Sequence, residues 1–242
     1  MRARAIILAA GRGSRMETMT LDRPKCLLEV GGKLLLHWQL QAMHANDIYE
    51  IGIVTGYRRE MVATTGLFEF HNAHWAQTNM VASLECATQW LDEAPCIVSY
   101  SDIFYESSAI ESLLRCSAPL AITYDPNWRT LWERRFGDPL CDAETFRLNA
   151  DSTLADIGGR PLSLDDVEGQ YMGLLRFEPE GWRELVRIRE SLSPEERNHM
   201  HMTATLQRVI AANRLPIAAI PYFDEWGEVD SMHDLAVYET GE

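Results

Sequence analysis

Apolar residues in this chain come in short blocks broken by glycines and charges, and the spacing within the blocks changes along the sequence. Ala5 to Ala10 is a continuous apolar run that predicts a buried strand, ending abruptly at Gly11 and Gly13. The stretch LLEVGGKLLLHWQLQAM predicts a short strand, a Gly31-Gly32 turn and an amphipathic helix from about Leu34 to Ala45. Ile51–Thr55 is a second apolar strand, followed by Gly56-Tyr57. Met80 to Leu91 places Met80, Leu84, Ala87 and Leu91 on one face of a helix. Pro95–Tyr100 is a third strand, ending at Ser101-Asp102. A helix over about Ser108–Cys116 and a strand at Leu120–Tyr124 follow. Strands alternating with helices predict an α/β fold around a largely parallel, layered sheet with right-handed crossovers.

The second half is less regular. Glu144–Asn149 and Thr153–Ile157 predict a hairpin, Gln170–Phe177 and Ile217–Ile220 strands, and Trp182–Ser191 and Thr203–Asn213 helices. A last helix, Ser231–Tyr238, is capped by Ser231. With no internal repeat or linker, residues 1–242 read as one domain whose later segments complete one side of a cleft. A separate second domain is the alternative.

Composition narrows the function classes. The chain has 242 residues, 46% hydrophobic and 24% charged, as expected of a globular protein. A net charge of −14 argues against a nucleic-acid polymer as partner, since a basic face is needed to displace counterions. A small anion remains open, provided a local cationic pocket or metal ion receives it. The five cysteines are scattered without CxxC spacing, which points to reduced thiols in the cytoplasm rather than disulfides or zinc. The apolar run at 5–10 is too short for a signal peptide or membrane span, so a cytoplasmic protein without membrane insertion is expected.

The first candidate for chemistry is the Gly11–Lys25 stretch. Glycines allow a tight turn and leave N–H groups unobstructed, and Arg12, Arg15 and Lys25 bring cations to the same loop. This composition suits a phosphate cradle and suits a plain surface turn about equally; it has neither P-loop spacing nor the third glycine of the dinucleotide fingerprint. In open parallel sheets ligands bind beyond the carboxyl ends of the strands. That rule puts the glycine loop, Gly56-Tyr57, Asp102 and Asp230 on one edge. Carboxylates near a triphosphate suggest Mg²⁺, and Glu228 and Asp230 have strand spacing that points both to one side. Such acids also serve as helix caps. His199 and His201 lack a third ligand, and no Gly-x-Ser-x-Gly elbow surrounds Ser14, Ser83 or Ser101. WRTLWERRF at 128–136 reads either as a pocket of aromatic and guanidinium groups or as an amphipathic helix with a solvated charged face.

LAAGRGSR followed by DRPKCLLEVGGKLLLHWQL resembles the signature of the sugar-phosphate nucleotidyltransferase superfamily. NMVASL, YSD, LWERRFGDPLCDAETF, IGGRP, EGQYMGLLRF and WGEVD, in that order, resemble its small cytidylyltransferase branch, which includes phosphonate and phosphocholine cytidylyltransferases. The resemblance implies a Rossmann-like fold with a central, mostly parallel mixed sheet flanked by helices. It also implies a nucleotide-binding part over about 1–125 and an acceptor-binding part over about 126–242, and it leaves a homodimer open. The implied reaction is CMP transfer from CTP to a small acceptor with release of pyrophosphate, by Mg²⁺-assisted in-line displacement.

Carried onto matching positions, the resemblance implies that Leu8, Ala9, Ala10 and Gly11 hold the nucleotide. Gly13 and Arg15 face the β- and γ-phosphates, Ser14 belongs to the same nucleotide-binding set, and Lys25 sits by the α-phosphate. Gly56, Tyr57 and Ser101 flank the nucleotide, and Asn79 and Ser83 contact base or ribose. Asp102, Glu228 and Asp230 hold Mg²⁺; Lys25, Arg15 and Asp102 carry the catalysis. The acceptor falls to Trp128, Arg129, Trp132, Glu133, Arg135, Gln170 and Tyr171. An ammonium-bearing acceptor such as phosphocholine calls for aromatic faces and a carboxylate, which Trp128, Trp132, Tyr171 and Glu133 supply, whereas a phosphonate without one calls for Arg129, Arg134 or Arg135, or for the Gln170-Tyr171 pair as hydrogen-bond donors. FGDPLCDAETF and EGQYMGLLRF sit closer to the phosphonate enzymes, which makes a small phosphonate the expected acceptor and phosphocholine the alternative. Where relatives carry an acid before the Met-Thr at 202–203, this chain reads NHMH, so His199 or His201 is a candidate acceptor contact. A rival of another class is an inactive nucleotide-binding regulatory module.

Overall fold

A computed structural model describes residues 2–239. Its frame is a seven-stranded sheet. In chain order the strands are β1 (Arg4–Ala9), β2 (Ile51–Thr55), β3 (Phe68–His71), β4 (Cys96–Tyr100), β5 (Leu120–Asp125), β6 (Gln170–Phe177) and β7 (Ile217–Pro221). Across the sheet they lie in the order β7-β5-β6-β4-β1-β2-β3. β6 is inserted antiparallel between β4 and β5, and the other neighbouring pairs are parallel.

β1 reads as an unbroken apolar run because both its faces are covered. Ala5, Ile7 and Ala9 enter one core layer with Leu36 and Met43 of the helix Leu35–His44; Ile6 and Leu8 enter the other with Trp182 and Leu185 of the helix Pro179–Glu190. After β1 the chain builds β2 and β3 on one side, then returns to place β4 on the other. The crevice opened by that reversal lies beyond the carboxyl ends of β1 and β4. Leu8 is paired with Tyr100 there, so the glycine loop and Asp102 leave the sheet side by side.

The strands at 51–55 and 170–177 and the hairpin of Phe146–Leu148 with Leu154–Ile157 follow the sequence reading. Ser231 caps the last helix through its Oγ, which accepts the Asp234 N–H at 3.2 Å. The expected helix Met80–Leu91 is instead two, Met80–Glu85 and Thr88–Glu93. Cys86 and Ala87 tighten the turn with bonds to Ser83 and Leu84, three residues back, and the Thr88 hydroxyl donates to the Glu85 carbonyl at 2.7 Å. No described helix is long and apolar enough to cross a membrane.

Candidate active site

Two adjoining clefts open beyond β1 and β4 and share Arg15, Met80, Tyr100 and Asp230. The first lies over the glycine loop. Leu8, Ala10, Gly11 and Gly13 line it with Ser83, Ser101 and Asp102, and Trp75 and Met80 give it an apolar wall. Gly11 borders open space where a Cβ would intrude on the cleft. Gly13 has φ +67°, and a Cβ there would lie 3.1 Å from Lys25 Cδ, so the left-handed glycine makes room for the lysine stem. Gly56 serves differently. A Cβ on it would meet Ala10 O and Trp75 Cβ, each at 2.6 Å, so its missing side chain lets β2 close onto the loop from behind.

Lys25 follows Pro24, which holds an extended conformation, and its side chain is 8% exposed between two acids. Nζ donates to Asp102 Oδ2 at 2.8 Å and to Asp230 Oδ1 at 2.5 Å. Burial opposes its charge, but Asp102, Asp230 and Glu228 together lift its pKa above the ordinary lysine value. Arg15 reaches Asp230 Oδ1 at 2.9 Å. Glu228 comes from a short strand, Trp226–Glu228, paired antiparallel with Ile103–Tyr105, and the Val229 N–H donates to the Asp102 carbonyl. This pairing brings acids from the chain's far end onto Asp102.

The carboxylates of Asp102, Glu228 and Asp230 lie within 4.8 Å of one another. Asp102 Oδ1 is buried without a hydrogen-bond partner. Burial, then Asp230 and Asp102, pushes Glu228 up to about 8, against the lowering pull of Arg135 and Lys25. Hard oxygen donors with an orphaned lone pair fit Mg²⁺. Beneath them Arg135, with a fully buried side chain, reaches Glu228 at 3.2 Å and Asp234 at 2.9 Å. Asp234 in turn accepts the Asp230 and Ser231 N–H groups at 2.9 and 2.8 Å.

The second cleft is lined by Trp132, Gln170, Tyr171, Met172 and Gly173, by Asp142 and Glu144, and by His201, Met202 and Thr203. β6 bulges between Tyr171 and Leu175, where Gly173 at φ +78° packs so closely that a Cβ would sit 2.7 Å from the Tyr100 ring. Trp132 Nε1 and the Tyr171 hydroxyl are buried without hydrogen-bond partners. Burial raises the pKa of Glu144, against the lowering effect of a bond from the Thr203 hydroxyl at 3.2 Å.

Several expected residues sit elsewhere. The Tyr57 hydroxyl donates to the Thr20 and Leu21 carbonyls, fastening the glycine loop from outside, and Ser14 is exposed at the start of the following turn. Ala9 faces the core. Asn79 caps the helix Met80–Glu85 rather than facing the cleft. Of the helix Trp128–Phe136, only Trp132 lines the second cleft. Trp128 is buried and donates to the Val167 carbonyl, Arg129 and Glu133 pair in solvent at 2.8 Å, and Arg135 turns under the acids. Helical spacing sorts them: positions 128, 132 and 135 face inward, 129 and 133 outward. Gln170 lines the cleft, yet its amide is engaged with the backbone N–H and carbonyl of Glu144. His201 lines the cleft, whereas His199 ends the helix Pro194–His199 outside its lining. Trp75, Thr78, Met80, Tyr100, Asp142, Glu144 and Thr203 were not anticipated. Asp142 and Glu144 stand in the quoted CDAETF segment, but nothing in their spacing distinguishes them from surface acids.

Residues 5–163 match the model of the MobA-like NTP transferase domain. CTP:phosphoglutamine cytidylyltransferase of Campylobacter jejuni is 32% identical, over 96% of this chain and 98% of that protein. 2-Aminoethylphosphonate cytidylyltransferase of Lancefieldella rimae is 26% identical over 41% of this chain and 42% of its own length. The solved CTP:phosphocholine cytidylyltransferase of Streptococcus pneumoniae superposes over 99% of each chain with a TM-score of 0.73 at 20% identity, a likeness of fold. The mixed, mostly parallel sheet flanked by helices is thus a nucleotidyltransferase fold.

Proposed function

The chain belongs to the MobA-like NTP transferase family, and from that premise we propose that it transfers CMP from CTP to a small phosphonate or phosphate-bearing acceptor that carries a cationic amine. The observation that carries this reading is Lys25, held by Asp102 and Asp230 at the floor of the nucleotide cleft, where Arg15 and Asp230 also border the second cleft. One side receives a triphosphate on glycine backbone and cations; the other receives the group that attacks its α-phosphorus. An ionised phosphonate or phosphate oxygen is already nucleophilic, so no general base is required, and pyrophosphate departs toward the glycine loop and Arg15. Lys25 neutralises charge growing on the α-phosphoryl oxygens, an interaction stronger in the transition state than before it. Asp102, Glu228 and Asp230 would hold Mg²⁺, which when bound neutralises phosphate charge and orients the in-line displacement.

The acceptor class follows from the second cleft. Apart from Arg15, which it shares with the first cleft, no arginine lines it, while Asp142, Glu144 and Glu228 do, so its far side favours an ammonium group over a bare anion. The amine of 2-aminoethylphosphonate and the α-amine of phosphoglutamine, acceptors in the names of the two relatives, meet that requirement. A phosphonate remains our reading within this class. We place the enzyme in the cytoplasm, in keeping with five free cysteines. Pyrophosphate release should be measured with CTP and Mg²⁺ against 2-aminoethylphosphonate, phosphocholine, phosphoglutamine and an amine-free alkylphosphonate. Turnover confined to the amine-bearing acceptors is expected. CTP binding without turnover of any of them would identify a nucleotide-binding regulatory module instead.

A further inference from the structure

Asn79, outside both clefts, ties together two segments that wall them. Its Oδ1 accepts the N–H groups of Val81 at 3.0 Å and Ala82 at 3.4 Å, capping the helix that presents Met80 and Ser83 to the nucleotide cleft. Its Nδ2 donates to the Met200 carbonyl, and its backbone N–H donates to the Asn198 carbonyl at 2.9 Å. The chain then runs directly into His201, Met202 and Thr203, which line the acceptor cleft, and the Thr203 hydroxyl reaches Glu144. Two segments about 120 residues apart in sequence are thereby hung from one residue, whose neighbour Met80 borders both clefts.

We infer that Asn79 is a positioning residue for the acceptor: it sets the 198–203 wall of the acceptor cleft against the nucleotide-side helix. The chemistry demands an amide. A primary amide accepts at its oxygen and donates at its nitrogen; a carboxylate caps equally well but only accepts. Asn79→Asp therefore keeps the helix cap and removes the donor to Met200, whereas Asn79→Ala removes both. A residue that merely capped a helix would tolerate Asp.

The inference rests on the cytidylyltransferase reading for its kinetic arm only. With whichever of 2-aminoethylphosphonate, phosphocholine or phosphoglutamine the wild type turns over, Asn79→Asp is expected to raise acceptor KM by about tenfold, the scale of one lost hydrogen bond. KM for CTP should stay within about twofold and Tm near the wild-type value, because the cap persists. Hydrogen exchange on the full chain without acceptor should become faster over residues 198–206 and stay unchanged over 79–86. Unaltered exchange at 198–206, or CTP and acceptor KM values that shift together, would overturn the assignment. If no acceptor is turned over, the functional reading fails, and the exchange measurement still decides whether Asn79 holds the wall.

Discussion

The nucleotide cleft and the acceptor cleft meet at Arg15, Met80, Tyr100 and Asp230, yet they are built by opposite means. The first is local. Its floor is what the chain does on leaving β1 and β4, and the polar groups it offers are glycine backbone, serine hydroxyls, the cations of Arg15 and Lys25 and the carboxylates of Asp102 and Asp230 that pair with them. The second is assembled from a helix, a bulged antiparallel strand and segments around 142–144 and 201–203, and the charges it adds are acidic. A triphosphate asks the same of every protein that transfers part of one, so strand ends and glycines meet the need. An acceptor differs between enzymes, and the residues that meet it come from the inserted and irregular parts of the fold.

The largest expected effect falls where the clefts join. Asp102→Asn should lower kcat by about a thousandfold or more while the protein stays folded, since it removes charge from the carboxylate set and from Lys25; near-normal turnover would break the assignment of those acids to Mg²⁺. Lys25→Ala should cost about a hundredfold or more in kcat with a smaller change in KM for CTP. A change confined to KM would mean that Lys25 binds the ground state alone.

Glu144→Gln tests the acceptor side separately, with an expected rise of about tenfold in acceptor KM and none in KM for CTP. Its pH dependence carries a sign. Folding raises the Glu144 pKa, so the group binds an amine better as pH climbs through that raised value, and wild-type acceptor KM should fall across that window. The same shift means that Glu144 stabilises the fold below its unfolded pKa and loses that contribution as pH rises through the folded one. The Gln variant should therefore show a flat KM profile and a Tm at neutral pH equal to or above wild type. A Tm well below wild type would show the carboxylate to be a structural support. The smallest effect belongs to Arg129→Ala, which removes an exposed pair worth about 0.3–0.5 kcal/mol. Unchanged acceptor KM is expected, and a several-fold rise would return the outer face of that helix to the acceptor site.

Much of the frame was legible along the chain because strands and helices announce themselves by period. The strands at 51–55 and 170–177 fall where the apolar runs place them. The split at Cys86–Ala87 was hidden because the apolar face continues across it; a tightened turn leaves the spacing of Leu84, Ala87 and Leu91 nearly intact. β3 escaped because FEFH at 68–71, although it alternates apolar and polar residues, is only four residues long and lies at the sheet edge, where Phe68 and His71 are exposed. Among site residues, Lys25, Arg15, Asp102 and Asp230 were legible through glycine loops, strand ends and the motif likeness. Asn79 and Arg135 were visible as polar residues in plausible motifs, but their partners were not.

What the sequence determined alone is most of the order of strands and helices, the glycine-rich cationic loop after the first strand and the supply of acids at 102, 228 and 230, because these depend on local period and on motifs a few residues long. Tertiary structure alone decided which of those charges face one another. The reversal between β1 and β4 and the antiparallel pairing of 226–228 with 103–105 carry Asp230 to Lys25 across 205 residues. The turn of one helix decided that Arg135 lies under the acids while Arg129 lies in water. Charge interactions and hydrogen bonds act over a few ångströms of space, and no periodicity in the chain encodes which distant residues will share that space.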